Sequence, residues 1–190
     1  MDDSTAPLRE MWYCALPSAR LRPGKRLARV LLGEPIVIGR GKDGAVFALR
    51  DLCPHRGIRL SNGRFDGSEL VCPFHGWRFD RSGQCTAIPS LAAAENVTPG
   101  RIRVKSYPVR EVQGHIWIFF GDAPATAPEV PLLPGIAAAQ PPDLTLSMRM
   151  PCSIDPAVFG LMDPAHNAFV HVSRWWRKRG TMEEKEKAFA

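Results

Sequence analysis

No apolar run in these 190 residues approaches the roughly 20 that a membrane-spanning helix needs; the longest candidate is IWIFF at 116–120. The opening MDDSTAPLRE starts with acids and has no apolar core, so it reads as an N-terminal tail over residues 1–10 and neither as a signal peptide nor as an anchor. The expectation is a soluble, cytoplasmic protein with no membrane partner. Cysteine is sparse and odd in number, five in all, which argues against a disulfide framework. Cys14, Cys85 and Cys152 are scattered and are expected to be small buried residues. No internal repeat of solenoid period is present. The charge of +6, from 25 Lys and Arg against 19 Asp and Glu, raises a nucleic-acid reading. The cations are spread along the chain, however, with no groove-entering helix or aromatic RNA-binding signature, so no nucleic-acid partner is expected. Docking of an acidic protein accounts for the charge equally well, and a plain basic surface is the simplest account.

What the sequence does contain is β pattern. ARVLLGEPIVIGR (28–40) gives two β-branched runs broken at Gly33, Glu34 and Pro35, and AVFALRD follows the turn signal Asp43-Gly44. YPVREVQGHIWIFFG (107–121) predicts two strands joined at Gln113-Gly114. Between these pairs lies a segment rich in glycine and turn residues, as loops projecting from a sheet require. The stretch 121–143 is dense in Pro and Ala and reads as a linker or crossing segment over 122–143. Beyond it DLTLSMRM (143–150) predicts a strand, and DPAVFGLMDPAHNAFVH a helical spacing interrupted by Pro156 and Pro164.

The glycine-rich segment carries two matched arms, CPHRG at 53–57 and CPFHGW at 72–77. Cys53, His55, Cys72 and His75 have the spacing C-x-H, sixteen residues, C-x-x-H. Four thiolate and imidazole donors suit zinc or an iron–sulfur cluster. Zinc fingers usually draw both cysteines from one arm and both histidines from the other. Here each arm offers one of each, as a cluster of two irons requires if one iron takes two thiolates and the other two imidazoles.

The run CPHRG…CPFHGWRFD resembles a Rieske [2Fe–2S] domain in residue type, order and spacing, over roughly 110 residues including the flanking β pattern, expected as 11–121. The resemblance implies that Cys53 and Cys72 bind one iron and His55 and His75 the other. Respiratory Rieske proteins carry an extra cysteine in each loop, where this chain has Ile58 and Phe74, and hydroxyl donors after the second loop, where it has Trp77 and Phe79. Fewer hydrogen bonds to the cluster leave its reduced charge less stabilised, which implies a low potential.

A second constellation is LMDPAHNAFVH, giving D-x-x-H-x-x-x-x-H with Asp163, His166 and His171. An Asp three residues before a His can be a cap or surface pair. Two imidazoles and a carboxylate, alternatively, form the facial triad of non-haem Fe(II) oxygenases. With a Rieske domain upstream, the pattern is similar to that of Rieske non-haem iron oxygenase α subunits. By that resemblance His166 and His171 are ligands of a mononuclear Fe(II), and Asp163 is the bridging acid that couples this iron to the cluster of a neighbouring subunit. In a regular helix His171 is rotated about 140° from His166, so an irregularity is expected near Asn167–Val170. No third ligand is identifiable: Glu183, Glu184 and Glu186 sit in a charged run that reads as solvated. RWWRKR at 174–179 reads either as a docking element or as an exposed basic segment.

The implied fold is mainly β, a Rieske β-sandwich followed by the beginning of an α+β helix-grip catalytic domain over 144–190, truncated in this chain. The implied activity is oxygenation of an aromatic or other apolar substrate by O2, as dihydroxylation, monohydroxylation or oxidative demethylation. Electrons would come ultimately from NAD(P)H through a reductase and a ferredoxin, within a homotrimer when full length. The alternative is a Rieske ferredoxin-like carrier without catalysis, in which the stretch beyond Gly121 has no role.

Overall fold

A computed structural model describes residues 8–91 and 97–163 of the chain. Among them the strands are Met11–Pro17 (β1), Arg26–Leu31 (β2), Glu34–Arg40 (β3), Val46–Arg50 (β4), Arg64–Phe65 (β5), Leu70–Val71 (β6), Arg78–Phe79 (β7), Cys85–Ala87 (β8), Ser106–Tyr107 (β9), Val109–Val112 (β10) and His115–Phe120 (β11), with one α-helix, Ile154–Met162 (α1). They pair antiparallel in three sheets, ordered β1-β11-β10, β2-β3-β4-β9 and β5-β6-β7-β8.

The middle sheet divides the interior because successive strand side chains point to opposite faces. Val37 of β3 and Phe47 and Leu49 of β4 enter one core with Leu60, Leu70, Cys53, Cys72 and Phe79. Ile36, Ile38 and Ala48 enter the other, against Leu16, Ile116, Ile118 and Phe120 of the β1-β11-β10 sheet. One face of this sheet therefore roots the Cys/His loops and the other anchors the domain. Arg40, at the end of β3, joins the sheets: its fork donates to Glu111 of β10 at 2.8 and 2.9 Å, and to the carbonyls of Leu21 and Gly44.

Both predicted hairpins form. Gln113 and Gly114 turn at φ 47° and 69°, the two left-handed residues of a two-residue hairpin. The β2–β3 turn lies one residue earlier than the sequence break, at Leu32 and Gly33 (φ 51° and 77°), and Glu34 and Pro35 belong to β3. The proline ring fixes φ near −65°, so Pro35 cannot occupy a left-handed turn position.

Residues 121–143 lie against the β-domain. Trp12 Nε1 donates to the Pro128 carbonyl at 2.7 Å, and Val130 is buried with Trp12 and Phe119. The Gln113 side chain donates to the carbonyls of Leu133 and Ile136 and accepts from the Leu133 N–H.

The chain divides into two compact units between Thr145 and Leu146. The strand expected over 143–150 does not form. Its alternation of Leu144, Leu146 and Met148 is real, but these side chains are 73%, 83% and 83% exposed, and alternation without a partner edge gives the backbone nothing to pair with. In the second unit Pro156 does not interrupt the helix. It sits in the first turn of α1, after the N-cap Ser153, where the missing N–H has no intrahelical partner to lose. The helix stops at Asp163, whose extended backbone (φ −89°, ψ 100°) is the conformation that a following proline imposes.

Candidate metal centre

The two arms fold alike despite their different His spacing. In loop 1, residues 53–58, the Cys53 N–H donates to the Ile58 carbonyl and the Gly57 N–H to the Cys53 carbonyl, both at 2.8 Å. In loop 2, residues 72–77, the Cys72 N–H donates to the Trp77 carbonyl at 2.8 Å and the Gly76 N–H to the Cys72 carbonyl at 3.1 Å. Gly57 and Gly76 both take left-handed backbone, φ 68° and 70°, which a residue with a Cβ adopts at a cost of about 1 kcal/mol. Loop 2 closes the β6–β7 hairpin; loop 1 follows β4.

The donors sort by depth. Cys53 and Cys72 are 2% and 3% exposed, at the loop bases, whereas His55 and His75 are exposed at the tips. The Cys72 thiol lies within hydrogen-bonding reach of Cys53. The two imidazoles lie side by side, ring centroids 4.9 Å apart and planes tilted by 54°. Trp77 stacks on His55 at 4.8 Å with its plane parallel within 1°, and Phe74 leans on His75 at 4.0 Å. Burial, and then the neighbouring Cys72 thiol, push the Cys53 thiol up to about 11. Partial desolvation lowers the His55 pKa, helped by the charges of His75 and Arg56, so the neutral, metal-ligating imidazole is favoured.

Loop 1 is braced from behind. Asp51, with no solvent exposure, accepts the Ser61 N–H at 2.7 Å and the Ser61 hydroxyl at 2.6 Å, and pairs with Arg59 at 3.5 Å. Arg26 of β2 reaches across to the carbonyls of Ser61 and Gly63. Gly63 itself approaches β6 so closely that a Cβ there would collide with the Val71 carbonyl, directly before Cys72. The segment 59–63 thus ties the two loops to one another. Sequence reading missed Asp51 and Arg26, although a carboxylate ending an apolar strand two residues before a cysteine arm was a usable signal.

This donor set suits a two-iron cluster. Two sulfurs lie together at the base and two imidazoles together at the tip. The Asp163 N–H donates to the Phe159 carbonyl at 3.0 Å as the C-cap of α1. His166 and His171, the expected irregularity at Asn167–Val170, Glu183, Glu184 and Glu186, and RWWRKR lie outside the described residues. Of the three other cysteines Cys85 is buried, as expected; Cys14 and Cys152 are exposed. Cys14 pairs with Trp117 at the one place where β1 bulges against β11, and Cys152 lies in the turn before α1.

Twin loops that each present a buried cysteine and an exposed histidine on an antiparallel β-domain have the donor set of an iron–sulfur cluster domain. The chain belongs to the Rieske [2Fe-2S] domain family, which matches residues 11–108. It is 34% identical over 166 residues to the 3-chlorobenzoate-3,4-dioxygenase oxygenase subunit of Comamonas testosteroni, covering 87% of this chain and 38% of that one. It is 36% identical to the oxygenase component of dicamba O-demethylase of Stenotrophomonas maltophilia, covering 86% and 48%. Among solved structures, the oxygenase of carbazole 1,9a-dioxygenase in its reduced complex with ferredoxin superposes with a TM-score of 0.57 at 31% identity, over 63% of this chain and 31% of that one. The chain thus spans less than half the length of these relatives. Among the described residues no helix is long and apolar enough to cross a membrane.

Proposed function

We propose that this chain is the electron-entry part of a Rieske non-haem iron oxygenase component. Cys53 and Cys72 hold one iron of a [2Fe–2S] cluster and His55 and His75 the other. The observation that carries the reading is the sorting of two buried thiols and two exposed imidazoles onto twin loops braced by one segment. Bound there, the cluster supplies reversible one-electron storage. The cysteines ionise on binding the metal, which offsets the burial that otherwise keeps Cys53 protonated. The histidine edges, at the surface, are the short path for an electron, and the stacked Trp77 keeps water off one face of His55.

The centre is of the low-potential kind, near about −150 mV on the Rieske scale. Phe79 is fully buried and, like Trp77, offers no hydroxyl to the cluster.

Residues 11–121 form the cluster domain, 122–143 cross over it, and 144–190 begin a helix-grip catalytic domain. Similarity to the chlorobenzoate dioxygenase subunit continues over 166 residues, past the family match at 11–108, and this favours an oxygenase over a ferredoxin. In that part Asp163 is the coupling acid, and His166 and His171 hold the mononuclear Fe(II). The substrate class is aromatic or otherwise apolar, with O2 as co-substrate, and the protein is cytoplasmic. A ferredoxin or reductase, fed by NAD(P)H, supplies electrons, as the ferredoxin complex of the carbazole enzyme supports. The assembly proposed is a homotrimer. Adding Fe(II) and nitric oxide anaerobically tests the second iron: a high-spin iron–nitrosyl signal that disappears in His166→Ala is expected, and an unchanged signal in that variant removes the assignment.

A further inference from the structure

Tyr107 is a buried titratable group that the metal centre does not use. It ends β9, paired with Ala48 of β4, and is 5% exposed in the core on the sheet face opposite the one that roots the Cys/His loops. Its hydroxyl reaches past β4 to the first residue of β3 and donates to Oε2 of Glu34 at 2.5 Å. Glu34 is not closed in. Its side chain is 19% exposed, and it also pairs with Arg9 at 3.4 Å and Lys105 at 3.8 Å at the surface. A buried phenol is thus joined to solvent through one carboxylate.

The surroundings decide how this phenol can react. Burial, and then the Glu34 carboxylate, push the Tyr107 pKa up, so the phenol keeps its proton across the ordinary pH range. Glu34 is held below the ordinary carboxylate value, chiefly by the Tyr107 hydroxyl and against its partial burial, so it stands ionised as an acceptor. The Lys105 ammonium lies 4.9 Å from the centre of the phenol ring, which opposes positive charge on that ring. Loss of an electron alone is therefore disfavoured, whereas loss of an electron and the proton together leaves the ring neutral. Tyr13, the only other tyrosine, lacks this arrangement. Its hydroxyl donates to the Leu8 carbonyl at 2.6 Å, an oxygen that accepts a hydrogen bond but does not take up a proton. Phe120 packs between the two tyrosines, its ring 5.6 Å from Tyr13 and 5.3 Å from Tyr107.

We propose that Tyr107 is a redox-active tyrosine with Glu34 as its proton acceptor. Tyr107 loses one electron to a one-electron oxidant of the peroxyl-radical class, which is reduced by one. The phenolic O–H bond breaks as the proton moves to Oε2 of Glu34, where an O–H bond forms, and a neutral tyrosyl radical remains. The domain thereby takes up a stray oxidising equivalent in the core that does not hold Cys53 and Cys72. Only the source of the oxidant rests on the oxygenase reading; the chemistry of the pair does not.

Flash photolysis of the full chain with a tris(bipyridine)ruthenium complex and persulfate supplies the oxidant directly, so a chain that binds no iron still decides the tyrosine. A tyrosyl signal in optical absorption and electron paramagnetic resonance is expected from wild type and from Tyr13→Phe, and none from Tyr107→Phe. Glu34→Gln keeps an oxygen that accepts the hydroxyl but is no base. It is expected to slow radical formation about a hundredfold and to remove the rate difference between H2O and D2O, with a melting curve close to wild type. A purely structural hydrogen bond would survive that change with neither effect. Tryptophanyl signals alone, a tyrosyl signal that Tyr13→Phe removes, or wild-type kinetics in Glu34→Gln overturn the proposal. If Tyr107→Phe fails to fold, Tyr13→Phe decides, because a tyrosyl signal there can come only from Tyr107.

Discussion

Asp51 has no exposure, and it is held by a backbone N–H, a hydroxyl and a guanidinium, all from 59–61. Removing it leaves the Ser61 N–H inside without its partner. Asp51→Ala is therefore expected to cost about 3 kcal/mol in urea unfolding, with a lower iron content per chain, whereas Asp51→Asn, which can still accept that N–H, costs less. Asp66 makes the contrasting case at the surface. The N–H groups of Glu69 and Ser68, then the Ser68 hydroxyl, hold its carboxyl at about 2 against the ordinary 3.8. Because the folded value is the lower one, the stabilisation is complete above about pH 4 and is lost as the pH falls towards 2. Solvent screening keeps it to about 1 kcal/mol or less. Asp66→Ala is expected to destabilise by that amount at pH 7, with the gap to wild type narrowing in urea melts below pH 4.

At the scale of elements, Arg40 is the bond between β3 and β10. Its side chain is only 11% exposed, and it satisfies two carbonyls as well as Glu111. Arg40→Ala is expected to cost about 2–3 kcal/mol. A double-mutant cycle with Glu111→Ala should assign about 1 kcal/mol of this to the pair, since Glu111 is partly exposed; a coupling near zero would place the whole effect in the carbonyl contacts. The long strands were legible because β3, β4 and β11 carry β-branched and aromatic runs next to turn residues that need positive φ. The strands β5 to β9 were not. With two or three residues each they show no period, and two of their turns rest on Asp66 and Asp80 accepting the N–H groups that follow them. The alternation at 143–150 misled for the opposite reason: it records which face would be apolar in a sheet and does not supply the sheet.

Across the whole molecule, the cluster loops are held by a sheet with a core on each face, and their chemistry was readable from four residues and their spacing. Depth was not readable. That the thiols lie at the base, that Trp77 covers His55, and that Asp51 and Arg26 fix the segment joining the loops are consequences of long-range contacts, which local sequence does not encode. The measurement that bears most directly on the mixed ligation is pulsed electron paramagnetic resonance of the dithionite-reduced, iron- and sulfide-reconstituted chain. We expect a mixed-valence two-iron signal with couplings to two imidazole nitrogens, one lost in His55→Cys and the other in His75→Cys. A two-iron signal with no nitrogen coupling, or a colourless protein that binds zinc instead, would contradict it.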